Sequence, residues 1–282
     1  MPKLSVTVIT YNESANIAAA LESVAWADEI VVIDSESTDE TAAIARRFTD
    51  HVVVRPWPGY PAQKNFAASV ARHDWILSLD ADERVTPALA DEIRRTLAAA
   101  NAPYKGYRIP RVTRHLGRWI RTTDWYPDDQ LRLYDRRAAQ WTGQYVHESV
   151  SATGPVGRLA AELQHYPYRN IGDHLETIDR YTTLAARQMH ESGRRAGLAE
   201  IAGHPPLAFL RNYVLRGGFR DGVPGLIISS LNAYYVFLKF AKLWQLRHIG
   251  PTAPHPAESM DGERGRESIE RSAEQHARDS RT

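Results

Sequence analysis

The chain has 282 residues, with 35 lysines and arginines against 34 aspartates and glutamates, which gives a formal net charge of +1. Its 43% of hydrophobic and 24% of charged residues are ordinary for a globular protein and exclude a disordered, collagen-like or coiled-coil chain. The absence of cysteine excludes a disulfide framework, a thiolate nucleophile and a cysteine-ligated zinc site. The near-zero charge gives no reason to expect a nucleic-acid partner. The apolar run at the N-terminus is too short for a signal peptide, so we expect a cytoplasmic protein.

Short apolar runs in the first third of the chain predict β-strands over residues 4–9, 29–33, 51–54 and 75–79. Helical spacing of apolar residues follows the first, second and fourth runs. The last of these helices is predicted to begin with Thr86 as its N-cap and Pro87 in its first turn. Strands that are apolar throughout and alternate with helices predict an α/β fold with a mostly parallel sheet flanked by helices.

Polar residues follow these strands at the points where they end. Asn12 and Glu13 come after the first strand, Asp34 after the second, and Asp80 and Asp82 after the fourth. The carboxyl ends of parallel strands meet at one edge of a sheet, which is where ligands bind in such folds. The sequence therefore predicts a ligand site at this edge.

Two of these carboxylates, Asp80 and Asp82, are spaced as hard-cation ligands often are. Mg²⁺ takes oxygen ligands, usually one or two carboxylates together with substrate phosphates. An Asp-x-Asp sequence alone is a weak signal, because aspartate also caps strands and turns. Its place at the same predicted edge as Asp34 favours the metal interpretation.

Asp34 and Lys64 each have two interpretations. The Asp34 carboxylate could accept hydrogen bonds from a base or ribose, or it could bond the backbone of its own turn. Lys64 could offset phosphate charge, although a single lysine is more often solvated surface. Both interpretations stay open at this point.

The second half of the chain has a different pattern. Alternating strand-like segments lie between residues 104 and 150, and residues 173–195 predict a polar, amphipathic helix. Residues 223–238 carry no charge but are fewer than the ~20 residues needed to span a bilayer. With Lys239 and Lys242 after them, they predict a helix lying in the interface of an anionic leaflet. The alternative is a helix packed on the catalytic domain or in a dimer.

The chain after Gly250 is proline-rich, then charged, with too few large apolar residues to order itself. The expected organisation is therefore a sheet domain over residues 1–170, a basic helical extension over 171–249 and a disordered tail over 250–282.

The motifs at the predicted sheet edge resemble those of family 2 glycosyltransferases of the GT-A fold, in order and spacing over roughly residues 3–150. They lie at residues 6–13, 32–39, 63–65 and 80–83. Three further segments resemble the branch that adds a β-linked glucose to the heptose of the lipopolysaccharide inner core. These are residues 125–128, 130–134 and 146–148.

The resemblance implies a GT-A, Rossmann-like domain with a C-terminal helical extension, and a role for each matching residue. The residues that would hold the nucleoside of the sugar nucleotide are Thr10, Asn12, Glu13 and Asp34. Lys64 and Asp80 would lie along the ribose and diphosphate. Asp82 would bind a divalent cation, Mg²⁺ or Mn²⁺, that bridges the diphosphate, and the donor would be UDP-glucose.

The same resemblance implies an inverting transfer with Glu148 as the general base, while Asp128 and Asp129 are rivals for that role. His147 is a further candidate metal ligand, or a group that orients a phosphate, with an ordinary surface or core histidine as the alternative. The acceptor would be a lipopolysaccharide core or lipid-linked glycan, with the enzyme on the inner face of the cell membrane.

Two other classes of function are weighed against this one. A membrane-tethered binding protein could keep the fold without catalysis, but it would not need all of Asp80, Asp82 and Glu148. A nucleotidyltransferase would need a glycine-rich, basic phosphate loop, whereas residues 10–16 contain no Gly, Lys or Arg.

Overall fold

The computed structural model describes residues 2–99, 103–143 and 148–249. Within these ranges the chain forms two compact units, one of residues 2–109 and 131–161 and the other of residues 110–130 and 162–249. The predicted boundary after residue 170 stays a prediction. The predicted tail over 250–282 lies outside the described residues.

The elements are numbered along the chain. The strands are β1 (Leu4–Thr10), β2 (Glu29–Asp34), β3 (Val52–Val54), β4 (Trp75–Asp80), β5 (Glu83–Val85), β6 (Gly106–His115), β7 (Arg118–Ile120), β8 (Asp128–Asp135), β9 (Ala139–Thr142), β10 (Ser149–Ala152), β11 (Val156–Arg158) and β12 (Leu163–His165). The helices are α1 (Ile17–Glu22), α2 (Thr41–Ala45), α3 (Tyr60–Val70), α4 (Pro87–Ala98), α5 (Ile171–Glu191), α6 (Leu198–Leu210) and α7 (Gly222–His248). A π-helical turn (Arg211–Leu215) and a 3-10 turn (Gly218–Asp221) join α6 to α7.

The first unit is built on a sheet whose strands run in the order β3-β2-β1-β4-β8 and then into β6. β1 is parallel to β2 and to β4, and β2 is parallel to β3, while β8 is antiparallel to β4. All seven residues of β1 are buried. Each fully buried Val or Ile side chain of such strands contributes about 1.5–3 kcal/mol. The predicted α/β fold with a mostly parallel sheet is confirmed.

Helix α4 forms as its sequence predicts. The Thr86 hydroxyl accepts a hydrogen bond from the backbone N–H of Leu89 at 3.1 Å, and Pro87 begins the helix where no intrahelical donor is needed. Leu89, Ile93 and Leu97 are buried along one face. The N-cap and the apolar spacing therefore fix where this helix starts and which side it buries.

The second unit contains α5 and α7, which pack together. Ala186 of α5 joins Phe240 and Leu243 of α7 in a buried cluster. The Lys242 ammonium donates to the backbone carbonyl and the carboxylate of Asp179, at 2.7 Å each. One side of this part of α7 thus packs on α5, and the predicted contact of the helix with a membrane stays a prediction.

Helix α7 is also longer than its uncharged stretch of residues 223–238. It has 27 residues, about 40 Å at 1.5 Å per residue. Among the described residues, one helical segment, Gly218–His248, is long and apolar enough to cross a membrane by length and composition alone, and 22% of its apolar window is buried. Length and composition are weak evidence for a span, since core helices also meet this criterion.

The second unit also buries a pair of histidines in an aromatic cluster. The His115 and His174 rings are 5.1 Å apart, and Tyr168 stacks on His174 with centroids 4.3 Å apart. Within the described chain, both ring nitrogens of His115 and Nδ1 of His174 lack hydrogen-bond partners. Burial, and then the neighbouring His115, lower the pKa of His174 to about 4.

This burial predicts acid sensitivity. The unfolded chain protonates His174 near pH 6.5 and the folded chain only near pH 4, so the unfolded state binds more protons between these values. Lowering the pH through this window should reduce the free energy of unfolding by about 3 kcal/mol, at 1.36 kcal/mol per pH unit. Urea unfolding at a series of pH values measures this loss. The His174→Phe variant should lose that part of the pH dependence, and an unchanged slope in the variant would contradict the prediction.

Candidate active site

The ends of three strands lie side by side at one edge of the sheet in the first unit. Thr10 of β1 is in register with Asp34 of β2, and Ile9 with Asp80 of β4. The edge predicted from the sequence is therefore present, and it brings Thr10, Asp34 and Asp80 together. Thr10 is buried, and its hydroxyl has no hydrogen-bond partner among the described residues.

Hydrogen bonds join the loops that follow β1 and β2. Asn12 has a φ of +53°, in the left-handed region that asparagine tolerates. Its Oδ1 accepts from the Thr38 N–H at 2.8 Å, and its own N–H donates to the Ser37 hydroxyl at 2.9 Å. The Glu13 N–H donates to the Thr41 hydroxyl at 2.8 Å. The two loops thus form one connected rim at the sheet edge.

The Asp34 carboxylate helps to shape this rim. It accepts from the Ser37 N–H at 3.0 Å and from the Ser37 hydroxyl at 2.5 Å. In the structure, Asp34 therefore bonds the turn that follows it, as the second interpretation predicts. A role toward a nucleoside stays a prediction.

The Gln63-Lys64-Asn65 sequence of α3 joins three parts of the first unit. Gln63 donates to the Ser35 hydroxyl at 3.1 Å, just after β2. Asn65 bonds both the N–H and the carbonyl of Trp141 in β9, at 2.9 Å each. Lys64 is buried between them, with its ammonium 4.1 Å from the centroid of the Trp141 ring. Lys64 is thus buried, and the alternative of a solvated surface lysine is wrong.

Four charged side chains form what we call the buried charge cluster: Lys64, Asp80, Glu83 and Arg132. The Lys64 ammonium lies 2.9 Å from Asp80, and the Arg132 guanidinium lies 2.5 Å from Asp80 and 2.7 Å from Glu83. Glu83 also accepts the backbone N–H of Asp80 at 3.0 Å. Two positive and two negative groups are therefore closed into one network beneath the Asp80 loop.

The electrostatics of this cluster follow from burial and pairing. Burial lowers the pKa of the Lys64 ammonium, and the Asp80 carboxylate opposes that shift only in part. Burial also disfavours the charged Arg132, but Asp80 and Glu83 outweigh it and raise the pKa of the guanidinium. Arg132 therefore stays charged while it holds both carboxylates.

The next feature is whether Asp82 and its surroundings could bind a divalent cation. No group of three or more His, Cys, Asp or Glu that could hold a metal is present in the described part of the chain. The Asp80 oxygens face Lys64 and Arg132, which suits a positioning role better than metal binding. Asp82 is half-buried in the loop between β4 and β5. One carboxylate fits a cation whose other ligands are substrate phosphates and water. His147 lies outside the described residues.

The candidate bases differ in what surrounds them. Glu148 belongs to the first unit, where it is half-buried just before β10, which pairs with β9. Asp128 belongs to the second unit, where Arg111 forms an ion pair with it at 2.7 Å and Gln130 donates to it at 2.5 Å. Asp128 is thus engaged by a cation. The assignment of the base to Glu148 rather than Asp129 stays a prediction.

Sequence reasoning assigned no role to two members of the buried charge cluster, Glu83 and Arg132. The available signal was a charge inside an apolar strand, since Arg132 lies between Leu131 and Leu133. A buried arginine needs a carboxylate partner. The sequence contains many carboxylates and does not say which one that is.

A parallel sheet with a connected polar rim and a carboxylate loop at its carboxyl edge defines an α/β protein built to hold a polar ligand at that edge. The family model described as "Glycosyl transferase family 2" matches residues 5–152, which is more than half of the chain. The chain belongs to glycosyl transferase family 2, and the resemblance seen in the motifs is confirmed.

Relatives match over nearly the whole chain. The lipopolysaccharide core biosynthesis glycosyltransferase LpsC of Rhizobium meliloti is 33% identical over 269 residues, which cover 92% of this chain and 99% of LpsC. An uncharacterized glycosyltransferase of Rickettsia prowazekii is 32% identical over 257 residues, 87% of this chain and 88% of that protein. The similarity to both proteins thus extends well beyond residue 152.

Solved structures are more distant. Staphylococcus aureus TarS 1–349 in complex with UDP-GlcNAc covers 89% of this chain and 93% of its own, at 15% identity and a TM-score of 0.45. Glucosyl-3-phosphoglycerate synthase from Mycobacterium tuberculosis, in complex with Mn²⁺ and UDP-glucose, covers 40% of this chain and 44% of its own, at 21% identity and a TM-score of 0.35. At these identities and TM-scores, the ligands of the two solved structures are not assigned to this chain.

Proposed function

We propose that this glycosyltransferase moves a sugar from a nucleoside-diphosphate sugar to a lipopolysaccharide-core or lipid-linked glycan, with UDP-glucose as the donor. The main support is the similarity to LpsC, which covers 92% of this chain and 99% of LpsC. The enzyme would work in the cytoplasm, on the inner face of the cell membrane. Residues 171–249 would be the extension that brings it there.

We assign a role to each proposed site residue from its position at the sheet edge. Thr10, Asn12, Glu13 and Asp34 would hold the nucleoside at the rim after β1 and β2. Asp82 would take the divalent cation, which when bound supplies positive charge to the diphosphate. Lys64 and Asp80 would act from within the buried charge cluster, by fixing the loop that presents Asp82.

The transfer itself would be a single displacement. Glu148 takes the proton from the acceptor hydroxyl as that oxygen bonds to the anomeric carbon. The bond from this carbon to the diphosphate oxygen breaks, and the nucleoside diphosphate leaves with the electron pair. One displacement inverts the anomeric centre, so an α-linked donor gives a β-linked product.

Donor binding tests this proposal without an acceptor. UDP-glucose with Mn²⁺, at 100 times its dissociation constant, should stabilise the folded protein by about 2.7 kcal/mol, because it binds only the folded state. In the Asp82→Asn variant the metal-dependent part of this stabilisation should disappear. Thermal unfolding with Mn²⁺ or with EDTA measures both effects.

The matched control is Asp91→Asn, which changes an exposed aspartate on α4 that forms an ion pair with the exposed Arg94. This variant should respond to donor and Mn²⁺ like the wild type. Equal stabilisation of the wild type in EDTA would contradict the metal role. Stabilisation by another sugar nucleotide instead of UDP-glucose would replace the proposed donor. Donor binding without transfer to any glycan would favour a non-catalytic binding protein.

A further inference from the structure

The second unit exposes a set of large apolar side chains where α6 turns into α7. None of the 13 residues of α6 is buried, although most of them are apolar. We call the following six residues the elbow patch, each 48% to 77% exposed: Leu207, Leu210, Val214, Leu215, Phe219 and Val223.

The elbow patch is continuous along the chain. Leu207, Leu210 and Val214 are spaced so that they share one face of α6 and the π-helical turn. Phe219 follows in the 3-10 turn, with its ring 6.4 Å from that of Tyr213. Soluble proteins rarely expose clustered apolar side chains of this kind unless they bind something.

Arginines are interspersed with the elbow patch. Arg211, Arg216 and Arg220 lie within the same stretch of chain, and all three are exposed. Asp124 forms an ion pair with Arg211 and lies 3.6 Å from Arg216. The Arg220 guanidinium is 5.7 Å from the Phe219 ring centroid. The local charge is positive, so the fitting partner combines an apolar layer with negative charge.

We propose that the elbow patch docks on the surface of an anionic lipid bilayer, with its apolar side chains among the acyl chains and its arginines at the lipid phosphates. This inference rests on the proposed function, because an acceptor held in a membrane must be reached at its surface. It places the membrane contact at the turn between α6 and α7, whereas Phe240, Lys242 and Leu243 contact α5.

The packing of α7 favours lying on the bilayer over crossing it. Phe240 and Leu243 are buried against α5, and Lys242 is bonded to Asp179 of that helix. α5 carries exposed charged side chains such as Arg187 and Glu176. A bilayer-spanning α7 would draw this polar helix into hydrocarbon, which is costly.

A second copy of the chain fits the elbow patch less well. In a two-fold dimer the same surface meets itself. The arginines of one copy would then face those of the other, and like charges across an interface are unfavourable. An anionic lipid surface has no such conflict.

Co-sedimentation of the full chain with vesicles tests the inference. The protein should bind vesicles of phosphatidylcholine with phosphatidylglycerol, and bind phosphatidylcholine alone much more weakly. The double variant Leu215→Gln, Val223→Gln should lower the partition coefficient by about tenfold or more, because it removes two apolar anchors. Phe48→Gln, at an exposed phenylalanine of the first unit, is the matched control and should leave binding unchanged.

The charge contribution has its own variant. Arg216→Gln with Arg220→Gln should weaken binding about tenfold at low salt and flatten its salt dependence. Failure of the wild type to bind the anionic vesicles would overturn the inference. So would a wild-type dimer, measured by sedimentation, that the Leu215 and Val223 changes dissociate. Donor stabilisation, measured without lipid, separates the two proposals, since the elbow variants should keep it even where vesicle binding is lost.

Discussion

Replacing Arg132 with methionine should lower the free energy of unfolding by about 3–5 kcal/mol, because it leaves the Asp80 and Glu83 carboxylates without their shared cation. Glu83 is fully buried, and the Arg132 guanidinium lies 2.7 Å from it. Methionine keeps much of the length of arginine but supplies no charge and no donor. Asp80 keeps Lys64 at 2.9 Å, but the fully buried Glu83 loses the guanidinium that joined it to Asp80, so the loop that carries Asp82 loses support.

Urea unfolding measures this loss against a matched change. Arg94→Met removes an exposed arginine that pairs with Asp91 on α4, and it should cost less than about 1 kcal/mol. Adding Glu83→Gln to Arg132→Met should restore part of the stability, since it removes the buried negative charge that Arg132 no longer balances. A loss for Arg132→Met as small as that for Arg94→Met would show that the buried charge cluster does not hold this unit together.

The sheet and its ligand edge could be predicted because both depend on local pattern. The apolar strands, and the polar residues directly after them, place Asp34 and Asp80 at one edge without knowledge of any distant contact. The start of α4 is equally local, since it depends on Thr86 and Pro87. For these elements, strand periodicity and capping chemistry are sufficient.

The charge pairing was not predictable in the same way. Arg132 meets Asp80 and Glu83 from 52 and 49 residues away. Lys64 looks like a surface lysine in sequence, and only the fold around α3 shows that Asp80 and Trp141 enclose it. No local pattern identifies such partners.

Long-range bonds also determine the second unit. The buried Asp221, just before α7, accepts from Arg118, 103 residues earlier, and from the Thr122 hydroxyl at 2.7 Å. These bonds attach residues 110–130 to the helical part of the chain. The sequence pattern assigns residues 110–130 to the sheet domain, because their strand-like alternation carries no information about a contact with Asp221.

Replacing Glu148 with glutamine should lower kcat by about 10²- to 10⁴-fold, the usual contribution of a general base. Glutamine has nearly the same size as glutamate but cannot take the acceptor proton. Donor binding should be nearly unchanged, because Glu148 lies before β10 and is not part of the rim after β1 and β2. Steady-state kinetics measures the fall in kcat, and donor-induced thermal stabilisation measures binding.

The rival bases supply the controls for Glu148. Asp128→Asn changes a carboxylate that already forms an ion pair with Arg111, so its main expected effect is on the stability of the second unit rather than on kcat. Asp129→Asn tests the neighbouring position with the same chemistry. If Glu148 is the base, both asparagine variants keep most of the transfer activity while Glu148→Gln loses it. If Asp129→Asn loses kcat and Glu148→Gln keeps it, the acceptor proton goes to Asp129 at the start of β8.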